Sequence, residues 1–185
     1  MNEAQPYEPG PANLARVLKD SNEEKWTLVL VRELRHSPEK VWQALTDPAQ
    51  LREWAPFVTD GSLGAVGTVK LTWVGAPTPI ETKVTRVEAH KALEYGDMRW
   101  ELEASGSGTR LTLWAKIDRR FISMGAAGWH ISFDVLDHLL SGTPIGRLAG
   151  GEVTKFAGWQ RLNEEYAKQF GTKAPKWPPQ AAQKP

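Results

Sequence analysis

A chain of 185 residues, 41% hydrophobic and 24% charged with a net charge of +1, has the proportions of one soluble domain around one core. At that length folding buries about 70% of the surface the unfolded chain exposes, so the core needs no staple. The absence of cysteine removes thiolate catalysis, Cys-ligated zinc and a disulfide framework.

Lys and Arg are dispersed among Asp and Glu, which argues against a basic stripe for nucleic acid. The longest aliphatic run, Leu28-Val29-Leu30-Val31, is far too short to span a bilayer. Residues 1–10 have neither a basic start nor an apolar stretch, so no secretory signal is expected and a cytoplasmic location is the default. The compositional anomaly is 9 tryptophans against 3 tyrosines and 5 phenylalanines, which points to an aromatic core or to the walls of a ligand cavity.

The ends are proline-rich: residues 1–12 read as a flexible arm and residues 172–185 as a Pro-rich tail, with one domain over residues 13–171. A short strand over Asn13 to Lys19 is predicted to return into a stronger one, Trp26 to Arg35. In the latter Trp26, Leu28, Leu30, Arg32 and Leu34 share a face, so Arg32 sits among apolar neighbours. Ser37 then caps a helix that begins at Pro38 and buries Val41, Trp42 and Leu45. Asp47-Pro48 starts a second short helix through Trp54, closed by Pro56.

Strands are predicted over Gly67 to Val74, Ile80 to Val87, Ala92 to Tyr95, Arg99 to Ala104 and Thr109 to Ile117, the last two flanking the turn Ser105-Gly106-Ser107-Gly108. Their inward faces are Trp100, Leu102 and Ala104 against Leu111, Leu113, Ala115 and Ile117, which leaves Trp114 outward. After Phe121 the period becomes helical, with Trp129, Phe133, Leu136 and Leu140 on one stripe, ended by Ser141-Gly142-Thr143-Pro144. A final helix from about Glu152 to Phe170 buries Phe156, Trp159, Leu162, Tyr166 and Phe170 and stops at Gly171. Strands segregated from helices indicate an α+β fold with one sheet face covered by helix.

This order, with Leu34-Arg35-His36-Ser37-Pro38-Glu39-Lys40-Val41-Trp42-Gln43-Ala44-Leu45-Thr46-Asp47-Pro48, resembles the START-like helix-grip (SRPBCC) superfamily. More narrowly it resembles the branch homologous to the C-terminal domain of activators of the heat-shock chaperone ATPase. Leu51-Arg52-Glu53-Trp54, the hairpin Gly106-Ser107-Gly108-Thr109-Arg110-Leu111-Thr112-Leu113 and Gly128-Trp129 extend the likeness, although Ala55 replaces a second Trp often found after Trp54. The resemblance implies a curved antiparallel sheet wrapped on a long C-terminal helix, with two short helices after the first long strand and a cavity between sheet and helix. Its relatives include lipid carriers, polyketide cyclases and chaperone activators, so function must come from the cavity lining. The resemblance places Leu30, Arg32, Trp54, Trp73, Trp100, Leu102, Leu113, Trp129 and Phe133 around that cavity.

His130, Asp134 and His138 recur at helical spacing with Asp137 beside them, the pattern of a metal site or an acid/base pair. They are expected on the polar face opposite Trp129 and Phe133, where solvation is the simpler reading, and no metal is expected. Arg32 could hold a carboxylate or phenolate ligand or pair internally. Glu81, Lys83 and Arg86 lie on a strand of unassigned parity. No Gly-x-Ser-x-Gly elbow is present, and Gly106-x-Gly108 lacks the following helix of a phosphate loop.

The favoured reading is a cofactor-free protein, monomer or homodimer, that binds a hydrophobic small molecule such as a lipid or polyketide-like aromatic. The second is a cyclase or aromatase, which needs His130 or Asp134 to point into the cavity. The third is a module contacting a chaperone through the sheet's outer face with Trp114 exposed.

Overall fold

The computed structural model describes residues 6–21 and 24–176. Helices begin where the chain supplies its own caps. The Ser37 hydroxyl accepts from the Lys40 amide at 3.3 Å, and Pro38 opens α1, Pro38–Thr46. The Asp47 carboxylate accepts from the Ala49 amide at 2.9 Å and starts α2, Pro48–Trp54. A proline at the first helical position sacrifices no hydrogen bond, because that amide has no partner within the helix.

The strands are β1, Ala15–Leu18; β2, Lys25–Leu34; β3, Phe57–Thr59; β4, Gly67–Trp73; β5, Ile80–Glu88; β6, Ala92–Tyr95; β7, Met98–Ser105; and β8, Gly108–Asp118. They form one curved antiparallel sheet in the order β1-β2-β8-β7-β6-β5-β4-β3. After a single 3₁₀ turn, Arg119–Phe121, come α3, Ile122–Leu140; α4, Gly150–Val153; and α5, Ala157–Phe170. The sheet's inner face closes on α3, and α5 packs along α3 from the other side. This is the expected α+β helix-grip architecture.

The β2–β8 ladder runs from Lys25↔Asp118 to Leu34↔Thr109 and brings Leu28 and Leu30 beside Ala115 and Leu113 on the buried face. Gly106, at φ +58°, turns the β7–β8 hairpin in the left-handed region that glycine enters without strain. Gly108 answers a different demand, since a Cβ there would lie 2.1 Å from the Leu34 carbonyl oxygen.

Four details depart from the sequence reading. Ala104, expected inward, is exposed: it lies at the hairpin tip, one strand beyond Thr109, whose hydroxyl donates to the His36 carbonyl. β3 was not anticipated, being only three residues after Pro56. The final helix is split at Thr154–Phe156, where Phe156 turns extended and stacks on Tyr7 at 6.0 Å.

The fourth is the seating of residues 6–12 against α3 and α5. Arg161 donates to the Pro9 and Gly10 carbonyls, Gln169 to the Ala12 carbonyl, and the Ala12 amide to Glu165. Gly158 makes room for this seat, since a Cβ on it would approach both Pro9 and Phe156 to 2.7 Å.

The glycine geometry gives a prediction of opposite signs. Gly108→Ala forces β2 and the hairpin apart and should destabilise by about 1–3 kcal/mol, the range for overpacking. Gly128→Ala, with nothing within 4 Å of its added Cβ, should stabilise α3 by up to about 1 kcal/mol through helix propensity. Urea denaturation checks both, and a stable Gly108→Ala protein would refute the close approach.

Candidate functional site

The middle of the interior is filled by the rings expected to surround a space. Trp54 meets Trp100 at 6.2 Å, Trp100 meets Trp129 at 5.6 Å and Phe133 at 5.9 Å, and Trp129 meets Phe57 at 6.4 Å. Most of these contacts are edge to face, the arrangement favoured by the ring quadrupole. The indole N–H of Trp54 donates to the Ala44 carbonyl at 2.9 Å and that of Trp100 to the Tyr95 hydroxyl at 3.0 Å, so neither polar edge is stranded. Leu30, Trp54, Trp100, Leu102, Leu113 and Phe133 are all core residues, none more than 6% exposed.

Open space begins where the sheet runs out of partners. β6 ends at Tyr95 opposite Val84, so Ile80 to Lys83 of β5 pair only with β4. β7 begins at Met98 opposite Ala115, so Ile117 and Asp118 of β8 pair only with β2. The short β6–β7 hairpin therefore leaves a notch in the sheet between β5 and β8, bridged at its base by Gly96 N–H to the Lys83 carbonyl and Lys116 N–H to the Asp97 carbonyl.

Behind the notch lies a cleft of about 320 Å³ lined by Leu71, Trp73, Thr82, Met98, Ala115, Ile117 and Trp129, with Glu81, Lys83, Asp97 and Lys116 also contributing. Trp73 is half-buried, and its ring lies 6.5 Å from Trp129 and 5.4 Å from Phe57, both nearly perpendicular to it. Ile117 also lines a neighbouring apolar cleft of about 650 Å³ between the Val74–Ala76 loop, the start of α3, and α4. At the start of α3, Gly125 admits the Ile117 side chain, where a Cβ would meet it at 2.6 Å. Of the expected lining, then, the structure brings Trp73 and Trp129 together at an opening and places the leucines, Trp54, Trp100 and Phe133 in the core. Met98, Thr82 and Ile117 were missed as lining because they become neighbours only when the register of four strands is known.

Arg32 does lie on the inner face of β2, as its parity predicts, but away from the notch. It donates to Asp134 at 2.6 Å and to Asp137 at 3.2 Å. His130 and Asp134 correct the expectation of a solvated helix face: they are 2% and 8% exposed. The reason is that β2, α5 and residues 6–12 cover that side of α3. Tyr7 donates to Asp134, and His130 Nδ1 shares a 2.7 Å hydrogen bond with the Tyr166 hydroxyl, which also accepts from the Leu14 amide. Burial opposes the charge on Arg32, but the attraction of Asp134 and Asp137 outweighs it and raises its pKa. Burial, reinforced by Arg32, holds His130 below the ordinary histidine range against the opposite pull of Asp134. It pushes the Tyr166 hydroxyl up to about 12. None of the members of this cluster lines the cleft behind the notch.

Trp114 is on the outer face as expected but only half-buried rather than bare, with the Arg99 guanidinium 4.1 Å above its ring. Trp177 lies outside the described residues. Among the described residues no cluster of three His, Cys, Asp or Glu side chains could hold a metal, and no helix is long and apolar enough to cross a membrane.

A family profile described as polyketide cyclase/dehydrase and lipid transport matches residues 25–167. A search of the curated proteins finds no match. Among solved structures, a conserved protein of unknown function from Enterococcus faecalis aligns with a TM-score of 0.66 at 16% identity, covering 85% of this chain and 90% of its own. CalU16 from Micromonospora echinospora aligns at 0.61 and 18% identity, covering 85% and 96%. DynU16, from the dynemicin biosynthetic locus, aligns at 0.57 and 19% identity, covering 68% and 51%. At these identities the likeness is one of fold.

The buried cluster predicts a dependence on pH. A base whose folded pKa is lowered contributes stability that is complete above its unfolded value, about 6.5, and is lost as the pH falls through the folded value. The urea midpoint should therefore drop between about pH 7.5 and about pH 5, and drop less in His130→Gln. Equal drops in the two proteins would show that His130 does not carry the effect. Arg32→Met, which leaves Asp134 and Asp137 without their shared cation, should cost about 3 kcal/mol by the same measurement, the low end for breaking a buried pair.

Proposed function

The chain belongs to the polyketide cyclase/dehydrase and lipid transport family, and from that premise we propose that it binds a small hydrophobic or aromatic molecule, lipid or polyketide-like, at the notch between β5 and β8. The observation that carries this reading is the pair Trp73 and Trp129. They are aromatic walls of the cleft behind the notch, whereas Trp54 and Trp100 are fully buried in the core. A cleft of about 320 Å³ falls at the small end of the range for ligand sites, and the adjoining space past Ile117 allows a longer molecule. Burying about 200 Å² of apolar ligand surface at about 25 cal/mol/Å² contributes about 5 kcal/mol before the cost of immobilising the ligand.

Proton-transfer catalysis by His130 or Asp134 finds less support. Their side chains are engaged with Tyr166, Tyr7 and Arg32, on the side of α3 covered by α5. Contact with a chaperone, the activity suggested by the narrower branch, rested on an open Trp114, and Arg99 covers that ring.

The uncharged fluorescent probe N-phenyl-1-naphthylamine tests the site. It should bind wild-type protein saturably, and Trp73→Ala should weaken it by at least about tenfold, the loss typical of a central aromatic contact. Trp114→Ala, in the groove on the opposite face of the sheet, should leave the affinity unchanged. Unaltered binding to Trp73→Ala would overturn the assignment.

A further inference from the structure

The rim of the notch is electrically uneven. Lys83 of β5 and Lys116 of β8 flank the Gly96–Asp97 turn at the base of the notch, both exposed. Their cross-strand neighbours are neutral, Thr68 opposite Lys83 and Thr27 opposite Lys116, and neither lysine forms an ion pair among the described residues. The two carboxylates at the rim are differently placed. Asp97 is held by Lys25 at 2.7 Å, and Glu81 stands directly across the β4–β5 ladder from Lys70, a register in which opposite charges attract, with no ion pair between them among the described residues. The net effect is two uncommitted cations over an apolar cleft.

Geometry adds a direction. Gly96, Asp97, Met98 and Lys116 line both the inner cleft and the groove on the sheet's outer face, so the two spaces lie on either side of the same short turn. An apolar ligand inserted from outside would rest against Trp73 and Trp129 with its trailing end at the level of the two lysines. An anion pushed deeper would lose its hydration without a partner, whereas at the rim it keeps water and gains two positive charges. Lysine suits this position, because its apolar stem can line the gap while the ammonium stays in water.

Resting on the assignment of the notch as the ligand site, we propose that the ligand is an amphipathic monoanion: a planar apolar body held by Trp73 and Trp129, with one acidic group, a carboxylate or phenolate, left at the rim between Lys83 and Lys116. The lysines set orientation and select for the acid, and the tryptophans supply the apolar attraction.

Two probes that share an aromatic body separate these roles: N-phenyl-1-naphthylamine, which is uncharged, and 1-anilinonaphthalene-8-sulfonate, which carries one acidic group. In the exposed double variant Lys83→Gln/Lys116→Gln the sulfonate should bind about tenfold more weakly and the uncharged probe within about twofold of wild type, as expected for two partly solvated ion contacts. Raising the salt concentration should weaken only the sulfonate in wild type. Sulfonate binding that ignores both the double variant and salt would overturn the proposal, as would equal loss of both probes. Failure of the uncharged probe to bind wild-type protein would instead overturn the underlying assignment of the notch, so the two failures are distinguishable.

Discussion

Trp129 lies against Trp100, Phe57, Trp73 and Phe133 at once, with ring separations between 5.6 and 6.5 Å, and through them this one indole ties α3 to both halves of the curved sheet. Trp100 belongs to β7, Phe57 to β3 and Trp73 to β4, so strands far apart in the sheet order converge on a single helical residue. Aromatic rings can do this because edge-to-face contacts tolerate many directions of approach while each ring buries a large area. The sheet's curvature and the position of α3 are thus set together, and the space left over falls at the end of this cluster, beside Trp73.

Because the sheet holds one side of α3 and α5 the other, polar groups on the helix cannot all reach water. Asp134 and His130 instead find Arg32, Tyr7 and Tyr166. An ionic cluster of this kind is weak evidence for extra stability, since a well-packed apolar set of the same volume often does as well. Its geometry instead favours one arrangement of the elements around it. β2, α3, α5 and residues 6–12 each contribute a group, so a shifted packing would strand a charge.

What could be read in the sequence divides by distance along the chain. Ser37-Pro38 and Asp47-Pro48 announced α1 and α2 because capping is decided within three or four residues. The glycines around Ser107 did the same for the β7–β8 hairpin. Parity placed Arg32 on the inner face of β2, yet the identity of its partner depended on α3 arriving from 102 residues away. His130 reads as solvated for the same reason: its own helix shows an apolar stripe elsewhere, and only the fold brings it the Tyr166 hydroxyl, itself held by the Leu14 amide. The notch was hidden more deeply. The four-residue length of β6 could be anticipated, but not that its hairpin falls short of both neighbours, which is a property of register across β5, β6, β7 and β8.

The filled interior changes where recognition can occur. A deep chamber between sheet and helix can envelop a ligand and judge its whole shape. Here Trp54, Trp100 and Phe133 occupy the centre, and the opening lies between strand ends. A site at a notch encloses less of its ligand, so contact area alone discriminates poorly and affinity depends on a few anchors. Under that constraint an aromatic anchor in the cleft and a charged one at the rim complement each other. The first responds to apolar area and is nearly blind to chemistry, while the second responds to charge and fixes which end of the molecule faces out. The short β6–β7 hairpin creates both conditions at once: it leaves open the cleft that the half-buried Trp73 and the buried Trp129 line, and it sets Lys83 and Lys116 on the two strands that flank its turn.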